Sequence, residues 1–178
     1  MYHKYYKFFM QLEENILDLT EDYSHIIILC IGTGKIVGDS IGPLIGKNIK
    51  LLENKYIKIY GDLNNTINFR NAREILTEIY ENFDKPYIIT IDAALGSKDN
   101  IGQIVLNKGY IKIGKALEKN ICFYSNINIK CVVGLNTNSK ENNMQQLRNV
   151  EEKEVYDIVS IVSLGIKEVL KNKVYKIV

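Results

Sequence analysis

The sequence predicts a three-layer α/β/α sandwich with a mainly parallel central sheet. Continuous apolar runs rich in β-branched residues indicate strands that are covered on both faces. Segments with apolar residues at helical spacing separate the first three of these runs. Strands that alternate with helices in this way are typical of a parallel sheet with helices on both sides.

The first elements follow one another closely along the chain. Residues 2–18 carry apolar side chains at roughly helical spacing, which predicts a first helix. The run HIIILCIG at 25–32 predicts the first strand, because it is continuous, β-branched and ends in glycine. A helix is predicted over 40–54, with Pro43 in its first turn. The alternating segment YIKIYG at 56–61 predicts a second strand.

The segment PYIITIDAALG at 86–96 predicts a third apolar strand that ends at Asp92. An amphipathic helix over 70–83 precedes it, with an apolar side formed by Ala72, Ile75, Ile79 and Phe83. Together these segments complete a strand–helix–strand–helix–strand order, whose crossovers are expected to be right-handed.

The last third of the chain alternates less regularly. QIVLNKG at 103–109 and NINIKCVVG at 126–134 predict two further strands, with an exposed loop or hairpin between them. A long amphipathic helix is predicted over 151–172. No repeat, linker or low-complexity tract interrupts the pattern, so a single α/β domain over 1–178 is expected.

The composition is that of an ordinary globular protein, with 46% hydrophobic and 25% charged residues among 178. A net charge of +2, spread over interspersed residues, does not favour nucleic acid or a membrane as a partner. No apolar run is long enough to span a bilayer, and the N-terminus lacks the features of a signal peptide. Cys30, Cys122 and Cys131 form no CxxC pair, which predicts buried, reduced thiols and a cytoplasmic location.

Two acidic residues stand where a parallel sheet binds its ligands. If strand one lies between strands two and three, the winding of the chain reverses there, and such sheets bind ligands at that reversal, outside the carboxyl ends of the strands. The loop after strand one carries Asp39 and the end of strand three carries Asp92. We therefore expect the two carboxyl groups to face each other across one crevice.

The segment around Asp39 has two interpretations. Asp39 or Ser40 would suit a simple helix cap. Three glycines precede them: Gly32, Gly34 and Gly38. These glycines instead favour a loop whose backbone approaches a ligand beside the N-terminus of a helix. The segment GTGKIVG matches neither nucleotide-binding pattern, GxxxxGK[ST] or GxGxxG.

Asp92 also has two interpretations, because an aspartate at a strand end often caps the following turn. Alternatively, burial and a neighbouring carboxylate would raise the pKa of one member of the pair. Such a pair can share a proton, with one carboxylate acting as a base toward water and the other as an acid. The same oxygens could instead hold a metal ion.

Several motifs carry a family resemblance over most of the chain. In order and spacing the chain resembles the YyaC-type sporulation proteins of spore-forming Firmicutes in CIGTGKIVGDSIGPLIG, IYGDLN, IDAALGSKDNIGQIVLNKGYIKIGKAL and IKCVVGLN. That family is related in fold to the spore germination protease and to hydrogenase maturation endopeptidases. All share a three-layer α/β fold, of the phosphorylase/hydrolase-like type, with the site at the strand ends.

The resemblance implies a sporulation-associated peptidase. In the germination protease a D-x-x-G-P element and an I-D-A element supply two catalytic aspartates, which correspond by motif to Asp39 and Asp92 here. A peptide or protein substrate is implied, such as a spore protein, in the cytoplasm of the mother cell or forespore. The oligomeric state stays open. The residues expected to bind substrate are Gly32, Thr33, Gly34, Gly38, Ser40, Ala93, Gly96 and Asn136.

Two alternatives remain open for the same crevice. One is a protein that binds a peptide or small ligand without turnover, and the other is a metal-dependent hydrolase. The favoured peptidase is expected to use no cofactor and no metal. The two histidines, His3 and His25, do not fall in a loop near the crevice. The nickel site with a histidine ligand that the hydrogenase maturation enzymes use is therefore not expected here.

Overall fold

The computed structural model describes residues 2–16, 23–113 and 121–174. Five strands form one sheet: β1 (Ile26–Cys30), β2 (Ile57–Tyr60), β3 (Tyr87–Gly96), β4 (Ile104–Ile113) and β5 (Ile121–Leu135). Their spatial order is β2–β1–β3–β5–β4. β1 pairs in parallel with β2 and β3, β3 pairs in parallel with β5, and β4 runs antiparallel to β5. The predicted mainly parallel α/β sheet is confirmed.

In the described ranges five α-helices accompany the sheet: α1 (Tyr2–Ile16), α2 (Ile41–Ile49), α3 (Ala72–Asn82), α4 (Lys140–Arg148) and α5 (Glu152–Val174). Buried side chains of α1, α2 and α5 pack with one face of the sheet, and those of α3 pack with the other face. The predicted three layers are therefore confirmed. The shorter α4 packs against β5 and against a 3₁₀ turn at Gly38–Ser40 that precedes α2.

The strand order places β1 between β2 and β3. The chain therefore winds outward from β1 in both directions, and the reversal lies between β1 and β3, as the sequence predicts. α2 is seated very closely on this part of the sheet. A Cβ on Gly46 would lie 1.8 Å from the carbonyl oxygen of Gly61, and one on Gly42 would lie 2.1 Å from that of Ile31. Gly42 and Gly46 thus let the backbone of α2 lie directly against the sheet.

The expectation that the third strand ends at Asp92 is wrong. β3 continues to Gly96, because β5 stays paired with it as far as Gly96 and Leu135. The register between the two strands shifts once, between Ala94 and Leu95. Asp92 therefore lies inside the strand, with paired residues on both sides of it along the chain.

The last two strands are longer than predicted. β4 and β5 remain paired from Ile104 with Cys131 to Ile113 with Ile121, so the hairpin, one of the two expected alternatives, is what the chain forms. Residues 114–120 between the two strands lie outside the described residues, as do residues 17–18 of the predicted first helix and the end of the third family motif.

Helix α4 was not predicted. The segment NSKENNMQQLRN is almost entirely polar and offers no apolar stripe to indicate a helix. Its start is fixed locally, because the Ser139 side chain accepts a hydrogen bond from the backbone N–H of Asn142.

Within the residues that the structure describes, the helices are all too short or too polar to cross a membrane.

Candidate functional site

The loop after β1 folds back on the turn that carries Asp39. The Ile31 N–H donates to the carbonyl of Ile91 on β3 (2.8 Å), and the Gly32 N–H donates to that of Ile67 (2.8 Å). Gly32 has a φ of +140°, and a Cβ at this position would lie 2.0 Å from the carbonyl oxygen of Asp39. The Thr33 N–H donates to the same oxygen (3.1 Å). These contacts hold Asp39 beside the end of β1.

The helix-capping interpretation is not supported for this segment. Neither the 3₁₀ turn nor α2 begins with a side-chain cap. The Ser40 hydroxyl instead donates to the carbonyl of Val37 (2.7 Å), which closes the turn from within. The carboxyl group of Asp39 is therefore not committed to capping a helix.

Asp92 is held by the sheet itself. Successive strand residues point to opposite faces, and Ile89 and Ile91 enter the core under α2 and α5. Thr90 and Asp92 consequently point to the other face. Asp92 is partly buried there, and its register partner on β5 is Lys130.

The two aspartates belong to one electrostatic site. Burial raises the pKa of Asp92 to about 8, and the nearby Asp39 charge contributes to the increase, while the Ala93 amide and the Lys130 charge oppose it. Burial raises the pKa of Asp39 to about 6, against the opposing effect of the Thr33 amide. Between these two values Asp39 is ionised and Asp92 keeps its proton, so the site holds one base and one acid.

A small cavity of about 180 Å³ opens beside the 3₁₀ turn, lined by Gly34, Lys35, Val37, Ser40, Glu152, Val155 and Tyr156. Two of the residues expected to bind substrate, Gly34 and Ser40, thus share one hollow. Neither Asp39 nor Asp92 lines it. The cavity therefore begins one residue from Asp39 and does not itself contain the pair.

Three other residues expected to bind substrate make packing contacts and hydrogen bonds within the fold. Gly38 is buried, and a Cβ there would lie 2.8 Å from the carbonyl oxygen of Leu147 on α4. The carbonyl of Gly96 accepts a hydrogen bond from the Asn136 N–H (2.8 Å), and the Asn136 side chain accepts one from Asn143 of α4 (3.2 Å).

The two remaining expected residues are Thr33 and Ala93. The Thr33 hydroxyl oxygen accepts a hydrogen bond from the Lys35 N–H (3.4 Å), within the loop. Ala93 packs on the core side of β3, next to Cys131. A role in substrate binding stays a prediction for all eight residues.

Lys130 is the member of this site that sequence reasoning missed. It is the one charged residue of the run NINIKCVVG, and that isolated charge was a usable signal. Its proximity to Asp92 depends on the register between β3 and β5, which the sequence does not show.

Possible metal ligands do not converge in the described ranges 2–16, 23–113 and 121–174, where no group of three or more His, Cys, Asp or Glu side chains is placed to hold a metal ion. His25 precedes β1, at the opposite end of that strand from Asp39, and its ring contacts Ser24 and Phe83. Cys30 and Cys131 are buried as expected. The expectation that Cys122 is also buried is wrong, because it is exposed on the β4–β5 hairpin.

Comparisons with known proteins agree with the architecture. The model of a family described as "Protein of unknown function (DUF1256)" matches residues 1–165. Uncharacterized protein YyaC of Bacillus subtilis (strain 168) is 28% identical over 110 residues, which are 62% of this chain and 54% of that protein. The match therefore spans about half the length of that relative.

A solved structure shares the fold across nearly the whole chain. The crystal structure of a [NiFe] hydrogenase maturation protease HycI from Thermococcus kodakarensis KOD1 superposes with a TM-score of 0.57, covering 90% of this chain and 99% of that one. The sequence identity is 17%, so this likeness shows the fold alone. The expected resemblance to YyaC-type proteins and to the hydrogenase maturation protease fold is confirmed.

Proposed function

The chain belongs to the DUF1256 family, and from this premise we propose that it is a peptidase that hydrolyses a peptide bond with Asp39 and Asp92. The observation that carries the proposal is the pair itself: two interacting carboxyl groups with pKa values raised unequally, to about 6 and about 8. Carboxyl pairs with separated pKa values are the usual basis for assigning an acid and a base. The protease-like fold and the reversal between β1 and β3 also favour a hydrolytic site at this position.

The charge state of the pair assigns a role to each residue. Asp39, ionised near neutral pH, accepts a proton from a water molecule as the water oxygen attacks the carbonyl carbon of the substrate. Asp92, still protonated, donates its proton to the peptide nitrogen as the C–N bond breaks. Transfer of a proton from Asp39 back to Asp92 then restores the starting state. The pKa values of two interacting carboxyl groups belong to the pair jointly.

The substrate and the setting follow from the family resemblance. We propose a peptide or protein substrate of the sporulating cell, cut in the cytoplasm of the mother cell or forespore. The resemblance to YyaC-type sporulation proteins supports this setting.

Cleavage of a proteome-derived peptide library tests the proposal. The wild-type chain should create new peptide termini, detected by mass spectrometry, and each new C-terminus should gain one heavy oxygen in H₂¹⁸O. Asp39→Asn and Asp92→Asn should create none. Asp99→Asn makes the same chemical change at an exposed carboxylate after β3 and should cleave normally. Cleavage by both site variants at the wild-type rate would refute the assignment, and loss of cleavage with a chelator would favour the metal-dependent alternative.

The binding alternative has one observation in its favour. The cavity beside Ser40 accepts a group of side-chain size, yet neither aspartate lines it, so a peptide bound there is not placed over the pair by that contact alone. A protein that only binds would retain library peptides on an affinity column and release them uncut. Retained peptides with no new termini would favour that function over hydrolysis.

A further inference from the structure

Lys130 shares a row of the sheet with Asp92. The two residues are register partners in the parallel pair of β3 and β5, and Lys130 is in turn the partner of Val105 on β4. Paired residues on neighbouring strands point to the same face, with Cβ atoms about 5 Å apart. The ammonium group of Lys130 is therefore carried on the strand next to Asp92.

The register pair two residues earlier shows that side chains of β3 and β5 meet on this face of the sheet. Thr90 and Asn128 are also register partners, and their side chains meet in a hydrogen bond of 2.7 Å. Asp92 and Lys130 each follow two residues later and so repeat the direction of those side chains. On β5 the alternate residues Ile127, Ile129 and Cys131 enter the opposite core.

Among the described residues, three ionisable groups interact electrostatically with Asp92. Asp39 approaches from the turn after β1, and Lys130 lies on β5. Cys131 is the third, but its side chain lies on the opposite face of β5. Burial raises the pKa of its thiol far above the ordinary value, so that it stays neutral. Lys130 is thus the positively charged residue among these three groups. Its side chain is exposed, which leaves room for movement during a reaction.

We infer that Lys130 acts through Asp92 in the proposed reaction, by stabilising the carboxylate that Asp92 becomes when it gives its proton to the departing amine. The inference rests on the proposed function. Before the step Asp39 is charged and Asp92 is neutral. As the water oxygen bonds to the carbonyl carbon and the C–N bond breaks, Asp39 gains a proton and Asp92 loses one. The negative charge moves from Asp39 to Asp92, toward Lys130, and no reactant beyond water and the peptide is needed.

Kinetics of Lys130→Met and Lys130→Arg test this positioning role. Without the cation, Asp92 is a weaker acid, so the alkaline limb of the pH–rate profile should move up by about 0.5 to 1 pH unit and kcat should fall about 3- to 10-fold. KM should stay unchanged, and Lys130→Arg should restore most of kcat. Lys112→Met is the matched control, because Lys112 is exposed on the same hairpin and is the partner of Cys122, away from the site. A rise in KM with an unmoved alkaline limb would overturn the inference in favour of substrate binding.

A readout without turnover separates this inference from the proposed function. The carboxyl ¹³C signal of Asp92 is followed by NMR from pH 4 to 10 in the wild type, Lys130→Met and Lys112→Met. The midpoint should rise by about 0.5 to 1 pH unit in Lys130→Met and should not move in Lys112→Met. If no peptide is cleaved but the midpoint moves, the proposed function fails and the coupling stands. An unmoved midpoint in Lys130→Met overturns the inference whether or not the protein is active.

Discussion

Replacing Asp92 by Asn should make the folded chain more stable at alkaline pH, although it removes the proposed acid. In the wild type the folded state keeps a proton on Asp92 that the unfolded chain loses near pH 4, because burial and the Asp39 charge raise the pKa to about 8. The free energy of unfolding must therefore fall as pH rises from about 4 to about 8. Above about pH 8 this contribution to the free energy of unfolding is fully lost. The Asp92→Asn variant has no carboxyl group at this position and therefore does not lose it.

The size of the effect follows from the raised pKa. An increase of about four pKa units at about 1.4 kcal/mol each sets a ceiling of about 6 kcal/mol. Asp92 is only partly buried, and its interaction with Asp39 is shared between the two groups, so we expect a gain of about 2–3 kcal/mol at pH 9. For a chain of this length that gain corresponds to a rise in Tm of about 5–10 °C.

Thermal unfolding followed by circular dichroism at pH 4, 7 and 9 measures the difference directly. The Tm of the Asp92→Asn variant should exceed that of the wild type at pH 9 and approach it at pH 4. Asp99→Asn, at an exposed carboxylate, should track the wild type throughout. The reasoning is refuted if Asp92→Asn keeps the wild-type dependence of Tm on pH. Ionisation of Asp92 would then not lower the free energy of unfolding.

Three further predictions follow from the same geometry. The pH dependence of kcat/KM should be bell-shaped with limbs near 6 and 8, and a profile with a single limb would contradict the acid–base assignment. Gly46→Ala should lower the free energy of unfolding in urea by about 2 kcal/mol or more, since its Cβ would lie 1.8 Å from the Gly61 carbonyl oxygen; Gly34→Ala, in the exposed loop, should change it little. Asn128→Ala should cost about 1–3 kcal/mol in the same assay, because it leaves the buried Thr90 hydroxyl without this acceptor; a wild-type urea midpoint would contradict that.

The central strands of the fold were predictable because the local residue pattern of each one indicates a strand. The runs that became β1 and β3 are continuous and β-branched, which suits strands buried on both faces. The proximity of Asp39 to Asp92 followed from one assumption about strand order, and the sheet has that order. Local residue patterns and one topological rule were therefore enough to find the candidate pair.

The errors lie where tertiary pairing decides the structure. β3 continues past Asp92 because β5 remains beside it, and nothing within IDAALG indicates that partner. α4 forms from a polar segment in which Leu147 packs against the core. Lys130 meets Asp92 across strands from distant parts of the chain, and a register of this kind is set only when the whole sheet assembles.

Direct titration of the two carboxyl groups tests most plainly whether Asp39 and Asp92 form one coupled site. With ¹³C-labelled aspartate, NMR should show both groups titrating above the ordinary range, with Asp92 the higher of the two. In Asp39→Asn the midpoint of Asp92 should fall, because the neighbouring charge is gone. Two independent titrations near pH 4, unchanged when the other aspartate is replaced, would contradict the account.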